Sequence, residues 1–163
     1  MKRLPWLLAA MVFVADQLVK YWIIHLLRLP ERGSWPLLPF LSFSWVENRG
    51  VSMGMLTAGT DFGRWLLVGL TAIIALVVVV WIRRERGRAE GIALGLVLGG
   101  ALGNILDRIR FGYVADFIHL HAGAWSFYVF NIADAAITIG VAILLFQAIV
   151  RRKDGERKET TDA

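Results

Sequence analysis

The chain has 163 residues, of which 57% are hydrophobic, and its mean hydropathy of +0.59 argues against an ordinary soluble globule. Its formal net charge of +5 comes from basic residues at segment ends, so anionic lipid head groups are the expected counterpart and nucleic acid is not. The absence of cysteine excludes disulfides, thiolate metal sites and a cysteine nucleophile.

Four apolar segments are about long enough to cross a bilayer as helices, for which roughly 20 residues are needed. They cover residues 4–29, 65–82, 91–106 and 132–150. The first segment follows two basic residues, as a secretory signal peptide does, but it runs on without a clear small-residue cleavage site. We therefore expect an all-α membrane protein in which residues 1–150 form one polytopic domain.

Most of the basic residues lie on one side of this four-span arrangement. They are Lys2, Arg3, Arg83, Arg84, Arg86, Arg88, Arg151, Arg152, Lys153, Arg157 and Lys158. Because cytoplasmic loops and ends carry the excess of Lys and Arg, both termini are predicted to be cytoplasmic. The loops 30–64 and 107–131 then face outward, where function is expected. Residues 151–163 are predicted to form a charged, disordered cytoplasmic tail.

The first segment carries two charged residues, Asp16 and Lys20. A charge at bilayer depth costs about 2.5 to 3.5 kcal/mol on insertion scales, so each needs a partner or a function. The two residues are four apart with the acid first, which is the favourable order for a pair on one helix face. The helical rise puts Asp16 about 20 Å from the cytoplasmic start. We interpret the pair as mainly structural, because a lysine held by a carboxylate is a poor general base.

The first outer loop contains two stretches with strand-like alternation, LSFSW at 41–45 and VSMGM at 51–55. With ENRG between them, they predict a small β-hairpin that lies on the bilayer surface or covers a groove between helix ends. Its apolar side would present Leu41, Phe43, Trp45, Val51, Met53 and Met55. An irregular loop with interfacial aromatic residues is the alternative.

The third segment places small residues at helical spacing. Glycine recurs at Gly91, Gly95, Gly99 and Gly103. This spacing lets two helix backbones approach closely in lipid, either within one chain or between two proteins. Polar residues follow at i, i+3 and i+4, and they are Asn104, Asp107 and Arg108. The outer end of this helix is therefore expected to have one face rich in hydrogen bonds.

Asp116 lies in YVADFIHL, an apolar and β-branched stretch of the second outer loop. Burial there should raise the pKa of its carboxyl group and favour the protonated acid. On a strand His119 and His121 would share one face, and Asp116 would point the opposite way. With no HExxH motif or second cluster, this disfavours a zinc site, and neither a metal nor a cofactor is expected.

Asp134 lies in NIADAAITIG, where the fourth segment begins. Asn131 is a candidate N-cap and Asp134 the third residue of the helix, an arrangement in which the carboxylate accepts from a free backbone N–H. The helix dipole favours the ionised form, which would prepare Asp134 to act as a base. A purely structural capping role remains the alternative.

Two carboxyl groups in contrasting environments suit the hydrolysis of a peptide bond by water. One takes a proton from the water while the other donates to the carbonyl oxygen, and a close pair shares one proton. This chemistry needs no covalent intermediate. The spacing of Asp116 and Asp134 in the sequence does not by itself bring them together, nor does it decide which one first holds the proton.

Five stretches in this order resemble the lipoprotein signal peptidases, also called signal peptidase II. They are DQLVK (16–20), NRGVS (48–52), GGALGNILDR (99–108), VADF (114–117) and FNIAD (130–134). The resemblance extends over about residues 12–150. It implies an aspartyl peptidase of the bacterial plasma membrane that cuts prolipoproteins just before a cysteine carrying diacylglycerol. The implied partners are these prolipoproteins and membrane lipids.

The resemblance also implies roles for individual residues. Asp116 and Asp134 match the catalytic pair of the family. The other matching positions, which look like supports for the active site or the substrate, are Asp16, Lys20, Asn48, Gly50, Asn104, Arg108 and Asn131. The implied fold has four transmembrane helices, a small outer β-cradle and a short surface helix. Met53 departs from the pattern, since the family often has an aromatic residue there.

Two other classes of function remain as alternatives. In a small transporter or proton-coupled carrier, Asp16, Lys20 and the glycines of the third segment would line a path. The acidic residues instead gather toward one face, which disfavours a route through the midplane. A non-enzymatic assembly factor would use the glycine face to bind another membrane protein.

Overall fold

The computed structural model describes residues 3–51, 56–57, 61–85, 87–123 and 125–161. The helices are α1 (Leu4–Tyr21) with a π-helical continuation (Trp22–Leu26), α2 (Leu29–Arg32), α3 (Asp61–Arg84), α4 (Arg88–Phe111) and α5 (Ile132–Thr161). The strands are β1 (Ser34–Leu38), β2 (Leu41–Asn48), β3 (Gly50–Val51), β4 (Leu56–Thr57), β5 (Val114–Ala122) and β6 (Trp125–Phe130).

Four helical stretches in the described part of the chain are long and apolar enough to cross a membrane. They are Leu4–Leu26, Asp61–Arg84, Arg88–Phe111 and Ile132–Arg151. Each overlaps one of the four predicted segments, so the prediction of a four-helix membrane protein is confirmed at this level. The first stretch ends before the predicted residue 29, because Arg28 adopts a left-handed conformation with φ of 52° and redirects the chain.

Helix α4 is the central helix of the bundle and packs against α1, α3 and α5. In α4, 67% of the apolar span is buried, against 17% in α3. The remaining helices expose large apolar side chains such as Leu7, Phe62 and Phe146. An apolar outer surface of this kind suits contact with lipid, which is as apolar as the side chains themselves.

The glycine face of α4 packs against α1 within the same chain. A Cβ atom built on Gly99 would lie 2.5 Å from the backbone oxygen of Ala9, and one on Gly95 would lie 2.6 Å from that of Pro5. On the other side, Gly100 faces the backbone of Ala133 in α5. Only glycine allows such close backbone contact, so these glycines serve packing inside the chain.

A four-stranded antiparallel sheet stands beside the helices, in the order β1-β2-β5-β6. Phe117 of β5 is buried with Ile23 and Leu29, and Phe43 and Trp45 of β2 pack against this cluster. Two of the three residues on the apolar side predicted for residues 41–45 therefore pack against a core, and Leu41 is not part of it. The sheet is joined to the bundle through this cluster.

The predicted pairing of residues 41–45 with 51–55 is wrong. Both edges of β2 are taken by β1 and β5, and β3 pairs with β4 instead. The alternating pattern indicates a strand but carries no information about a partner that is distant in sequence. Residues 52–55, and with them Met53, lie outside the described residues.

The predicted disorder after Arg151 is also wrong, because α5 continues to Thr161. Arg, Lys and Glu dominate this stretch and are good helix formers. Extending an existing helix also avoids the costly nucleation step. The charged tail therefore begins as a prolongation of the last apolar helix.

Candidate active site

Asp116 and Asp134 come together where α4 ends and α5 begins. Helix α4 ends at Gly112, whose φ of 83° requires glycine and whose N–H donates to the Arg108 carbonyl over 3.1 Å. This turn leads directly into β5, which carries Asp116 with only 1% of its surface exposed. Asp134 lies in the first turn of α5, just after β6.

Asn131 joins the two carboxyl groups. Its Nδ2 donates to Oδ1 of Asp116 over 2.6 Å, and its Oδ1 accepts the backbone N–H of Asp134 over 2.9 Å. The backbone N–H of Asn131 in turn donates to Oδ2 of Asp134 over 3.4 Å. The predicted capping pair is therefore present, and the same asparagine also reaches Asp116. Capping and site construction are carried by one residue.

Asn48, at the end of β2, binds the other oxygen of Asp116. Its Nδ2 donates to Oδ2 of Asp116 over 3.0 Å and to Oη of Tyr128 over 3.0 Å. Its Oδ1 accepts the backbone N–H of Gly50 over 3.1 Å, and Gly50 has a φ of 120°. Gly50 thus forms the turn that fixes the Asn48 amide. The two predicted residues act together on Asp116.

The surroundings of Asp116 favour its protonated form. Burial raises the pKa of this carboxyl to about 7, and the charge of Asp134 acts in the same direction. The hydrogen bonds from Asn48 and Asn131 and the charge of Lys20 oppose this rise. The rise that the apolar sequence predicts is therefore present, and Asp116 is partly protonated near neutral pH.

Asn104 and Arg108 reach Asp134 from α4. Nδ2 of Asn104 donates to Oδ1 of Asp134 over 2.8 Å, and Oδ1 of Asn104 accepts from Asn131 over 3.3 Å. The Arg108 guanidinium interacts electrostatically with Asp134 and with Asp116. The predicted polar face of α4 thus turns its donors and its positive charge toward the two carboxyl groups.

Asp16 and Lys20 lie behind the site in a buried ionic cluster. Lys20 Nζ is 2.8 Å from Asp16 Oδ2, as the sequence predicts, and 2.7 Å from Asp107 Oδ2. Oδ1 of Asp16 accepts the backbone N–H of Ala133 over 3.0 Å, and Oδ2 of Asp107 accepts that of Ala115 over 3.2 Å. The cluster therefore binds the backbone of Ala133 and of Ala115, which directly precede Asp134 and Asp116.

Among the residues that the structure describes, two open cavities flank the site. One has a volume of about 310 Å³ and is lined in part by Glu47, Asn48, Arg49 and Asp116. The other has a volume of about 420 Å³, is mostly apolar, and is lined in part by Phe130, Asp134 and Ile139. Each cavity thus contains one of the two acids. A peptide bond that reaches both carboxyl groups has a polar and an apolar space beside it.

The two histidines of β5 lie away from this site. His119 Nδ1 is 3.1 Å from Oγ of Ser44, and its Nε2 is 2.7 Å from Oγ of Ser126. Its ring centroid is 5.3 Å from that of His121. Within the residues described, no cluster of three or more His, Asp or Glu side chains has an arrangement suited to a metal ion. His119 thus uses both ring nitrogens in hydrogen bonds to serine.

Three neighbours of the site do not stand out from the sequence as site residues. Asp107 binds Lys20, Gln17 donates to Oδ1 of Asp107 over 3.0 Å, and Tyr128 accepts from Asn48. Asp107 lies three residues after Asn104 on the predicted polar face, so a second acid near Lys20 could have been sought there. For Gln17 and Tyr128, the partners are distant in sequence and no local pattern marks them.

Comparisons with known proteins identify the family of this chain. A family model described as signal peptidase (SPase) II matches residues 8–150. The lipoprotein signal peptidase of Rhizorhabdus wittichii is 53% identical, covering 95% of this chain and 91% of its own length. That of Sphingopyxis alaskensis is 44% identical and covers 99% and 92%. A solved structure described as a bacterial membrane enzyme superposes with a TM-score of 0.79, at 29% identity and coverage of 92% and 90%.

Proposed function

The chain belongs to the signal peptidase II family, and we propose that Asp116 and Asp134 are the acids with which it cleaves prolipoproteins. The protein is an aspartic endopeptidase that removes signal peptides from prolipoproteins. The observation that carries the assignment of the acids is the double attachment of Asn131 to both of them. This attachment links two carboxyl groups that are distant in sequence, and each of them lines one of the two cavities.

In the proposed mechanism Asp134 is the base and Asp116 the acid. The N-terminus of α5 and the amide of Asn104 place hydrogen-bond donors beside the carboxyl group of Asp134. Asp134 takes a proton from water as the water oxygen attacks the carbonyl carbon, and Asp116 donates its proton to the carbonyl oxygen. When the C–N bond breaks, the proton on Asp134 passes to the leaving amine, and one hydroxyl of the tetrahedral intermediate returns its proton to Asp116 to leave the carboxylic acid product. A raised pKa suits Asp116 to this first donation.

Seven other residues support this catalytic pair. They are Asn48, Gly50, Asn104, Arg108, Asn131, Asp16 and Lys20. Asn48 and Asn131 orient Asp116, and Asn104 orients Asp134. The guanidinium of Arg108 balances the negative charge of Asp134. We propose that the substrate is cut just before a cysteine carrying diacylglycerol, because an apolar cavity beside Asp134 offers a place for lipid or signal-peptide side chains.

The decisive experiment is an in vitro assay with a lipidated prolipoprotein. Asp116→Asn and Asp134→Asn should each reduce kcat by a factor of about 10³ or more, since each removes one half of the proton exchange. Circular dichroism in detergent should show parent-like folding for both. Cleavage at the parent rate by either folded variant would refute the assignment.

We further propose that the protein lies in the bacterial plasma membrane with both termini cytoplasmic and the active site toward the outer face. The basic residues at the span ends on one side, and the smaller number of basic residues in the loops 30–64 and 107–131, support this orientation. The short helix α2 and the sheet would then lie at the outer surface. A reporter fused after Lys153 should behave as cytoplasmic. Labelling of this fusion from outside the cell would show that the orientation is the opposite one.

A further inference from the structure

Tyr128 is common to the two cavities of the active site. It lines the polar cavity together with Asp116 and the apolar cavity together with Asp134. It lies on β6, which forms one edge of the four-stranded sheet. A peptide that extends from one cavity to the other while reaching both acids therefore passes the side chain of Tyr128.

The hydrogen bonds around Asn48 determine what the Tyr128 hydroxyl can do. Since Oδ1 of Asn48 accepts from Gly50, its Nδ2 must face both Asp116 and Tyr128. An amide nitrogen can only donate, so the hydroxyl oxygen of Tyr128 is the acceptor. Its own O–H hydrogen has no acceptor among the residues that the structure describes. The hydroxyl hydrogen of Tyr128 is therefore available, beside the catalytic pair, to donate to a bound molecule.

The electrostatic surroundings keep the hydroxyl group of Tyr128 protonated. Partial desolvation of the hydroxyl group, followed by the charges of Asp116 and Asp134, raises the pKa of Tyr128 above its ordinary value. The hydroxyl therefore remains protonated at neutral pH. The side chain is also 62% exposed, so a bound molecule can reach it.

We propose that Tyr128 is a substrate-binding residue that donates its hydroxyl hydrogen to a backbone carbonyl oxygen of the extended peptide beside the scissile bond. This inference rests on the proposed function. An edge strand can accept an extended peptide alongside it, which brings such carbonyl groups close to side chains of the edge. Tyr128 borders both the apolar cavity and the polar one, which is also lined by Glu47 and Arg49. Tyr128 thereby fixes the register of the peptide over the two acids.

Tyr128→Phe tests the proposal, because it removes only the hydroxyl from an exposed side chain. With a lipidated prolipoprotein, kcat/KM should fall about 3- to 10-fold, the usual effect of one hydrogen bond. The pH profile of kcat should keep its position, since Asn48 is still held by Gly50 and Asp116. In an inactive Asp134→Asn background, the Kd for the uncleaved substrate should rise by a similar factor.

Tyr113→Phe is the matched control. Tyr113 packs against Trp45 and Phe111 and lines neither cavity, so loss of its hydroxyl should leave kcat/KM unchanged. Parent-like kcat/KM for Tyr128→Phe would overturn the proposal. So would an unchanged Kd together with a displaced pH profile, because the hydroxyl would then act through Asn48. Failure of the parent protein to cleave would count against the proposed function instead.

Discussion

At the residue scale, Asp116 shows how a carboxyl group is kept available as an acid. Burial raises its pKa to about 7, while two amide donors, Asn48 and Asn131, keep the rise from going further. The environment is therefore a balance between desolvation and hydrogen bonding. Because Asp116 donates a proton in the proposed mechanism, kcat should fall as the pH rises through about 7.

Asn48→Ala should move this alkaline limb to higher pH. The Asn48 amide stabilises the ionised form of Asp116, so its removal raises the pKa further and extends the range in which the acid holds its proton. The measurement is kcat across about pH 5 to 9. Ser44→Ala is the control on the same strand, because Ser44 bonds to His119 and not to Asp116. A limb that stays in place or moves to lower pH in Asn48→Ala would contradict this account.

The local parts of the site are those that the sequence predicts well. Asn131 and Asp134 are three residues apart, and Asp16 and Lys20 are four apart, so helix geometry alone brings each pair together. The meeting of Asp116 with Asn48 instead depends on the pairing of β2 with β5. No periodic pattern encodes that contact, and the resemblance of whole motifs implies only that Asn48 supports the active site or the substrate.

At the element scale, the position of the site depends on how closely α1, α4 and α5 approach. Gly99 and Gly100 allow α4 to touch the backbones of α1 and α5 on its two sides. The sequence predicts close packing from the repeat of glycine, but it leaves open whether the partner is the same chain. The structure identifies α1 and α5 as the partners, since the backbone oxygens of Ala9 and Ala133 occupy the space where side chains would be.

Gly99→Val should therefore destabilise the bundle. The Cβ atom of the new valine would lie 2.5 Å from the backbone oxygen of Ala9 and 2.8 Å from Cβ of Val12, so α1 would have to move away. Overpacking of this kind typically costs about 1 to 3 kcal/mol, and we expect a Tm lower by about 2 to 12 °C in detergent. Gly69→Val on α3 is the matched control, because nothing lies within 4 Å of a Cβ there. Equal Tm values for the two variants would show that the glycine contact is unimportant.

At the scale of the whole molecule, the buried cluster of Asp16, Lys20 and Asp107 connects four elements. Asp16 belongs to α1 and binds the start of α5, and Asp107 belongs to α4 and binds the start of β5. Lys20 bridges the two carboxylates at 2.8 and 2.7 Å. The strand that carries one acid and the helix that carries the other are thus attached to the same cation.

Lys20→Met tests whether this connection sets the geometry of the catalytic pair. Methionine keeps the apolar length of the side chain but leaves Asp16 and Asp107 buried without their cation, and breaking a buried ion pair costs about 3 to 5 kcal/mol. We expect a Tm lower by about 10 °C. Asp16 and Asp107 also accept the backbone N–H groups of Ala133 and Ala115, next to the two catalytic acids. We therefore expect kcat to fall about tenfold or more in the protein that remains folded.

The control for this variant is Glu31→Gln, which removes an exposed carboxylate 4.0 Å from Arg28 and should change neither Tm nor kcat. Thermal unfolding and single-turnover cleavage below the variant's Tm separate the two effects of Lys20→Met. A lower Tm with parent-like kcat would mean that the cluster only stabilises the bundle. A fall in both would mean that the cluster also acts on the catalytic pair, through the backbone attachments next to Asp116 and Asp134 and through the charge of Lys20 near Asp116.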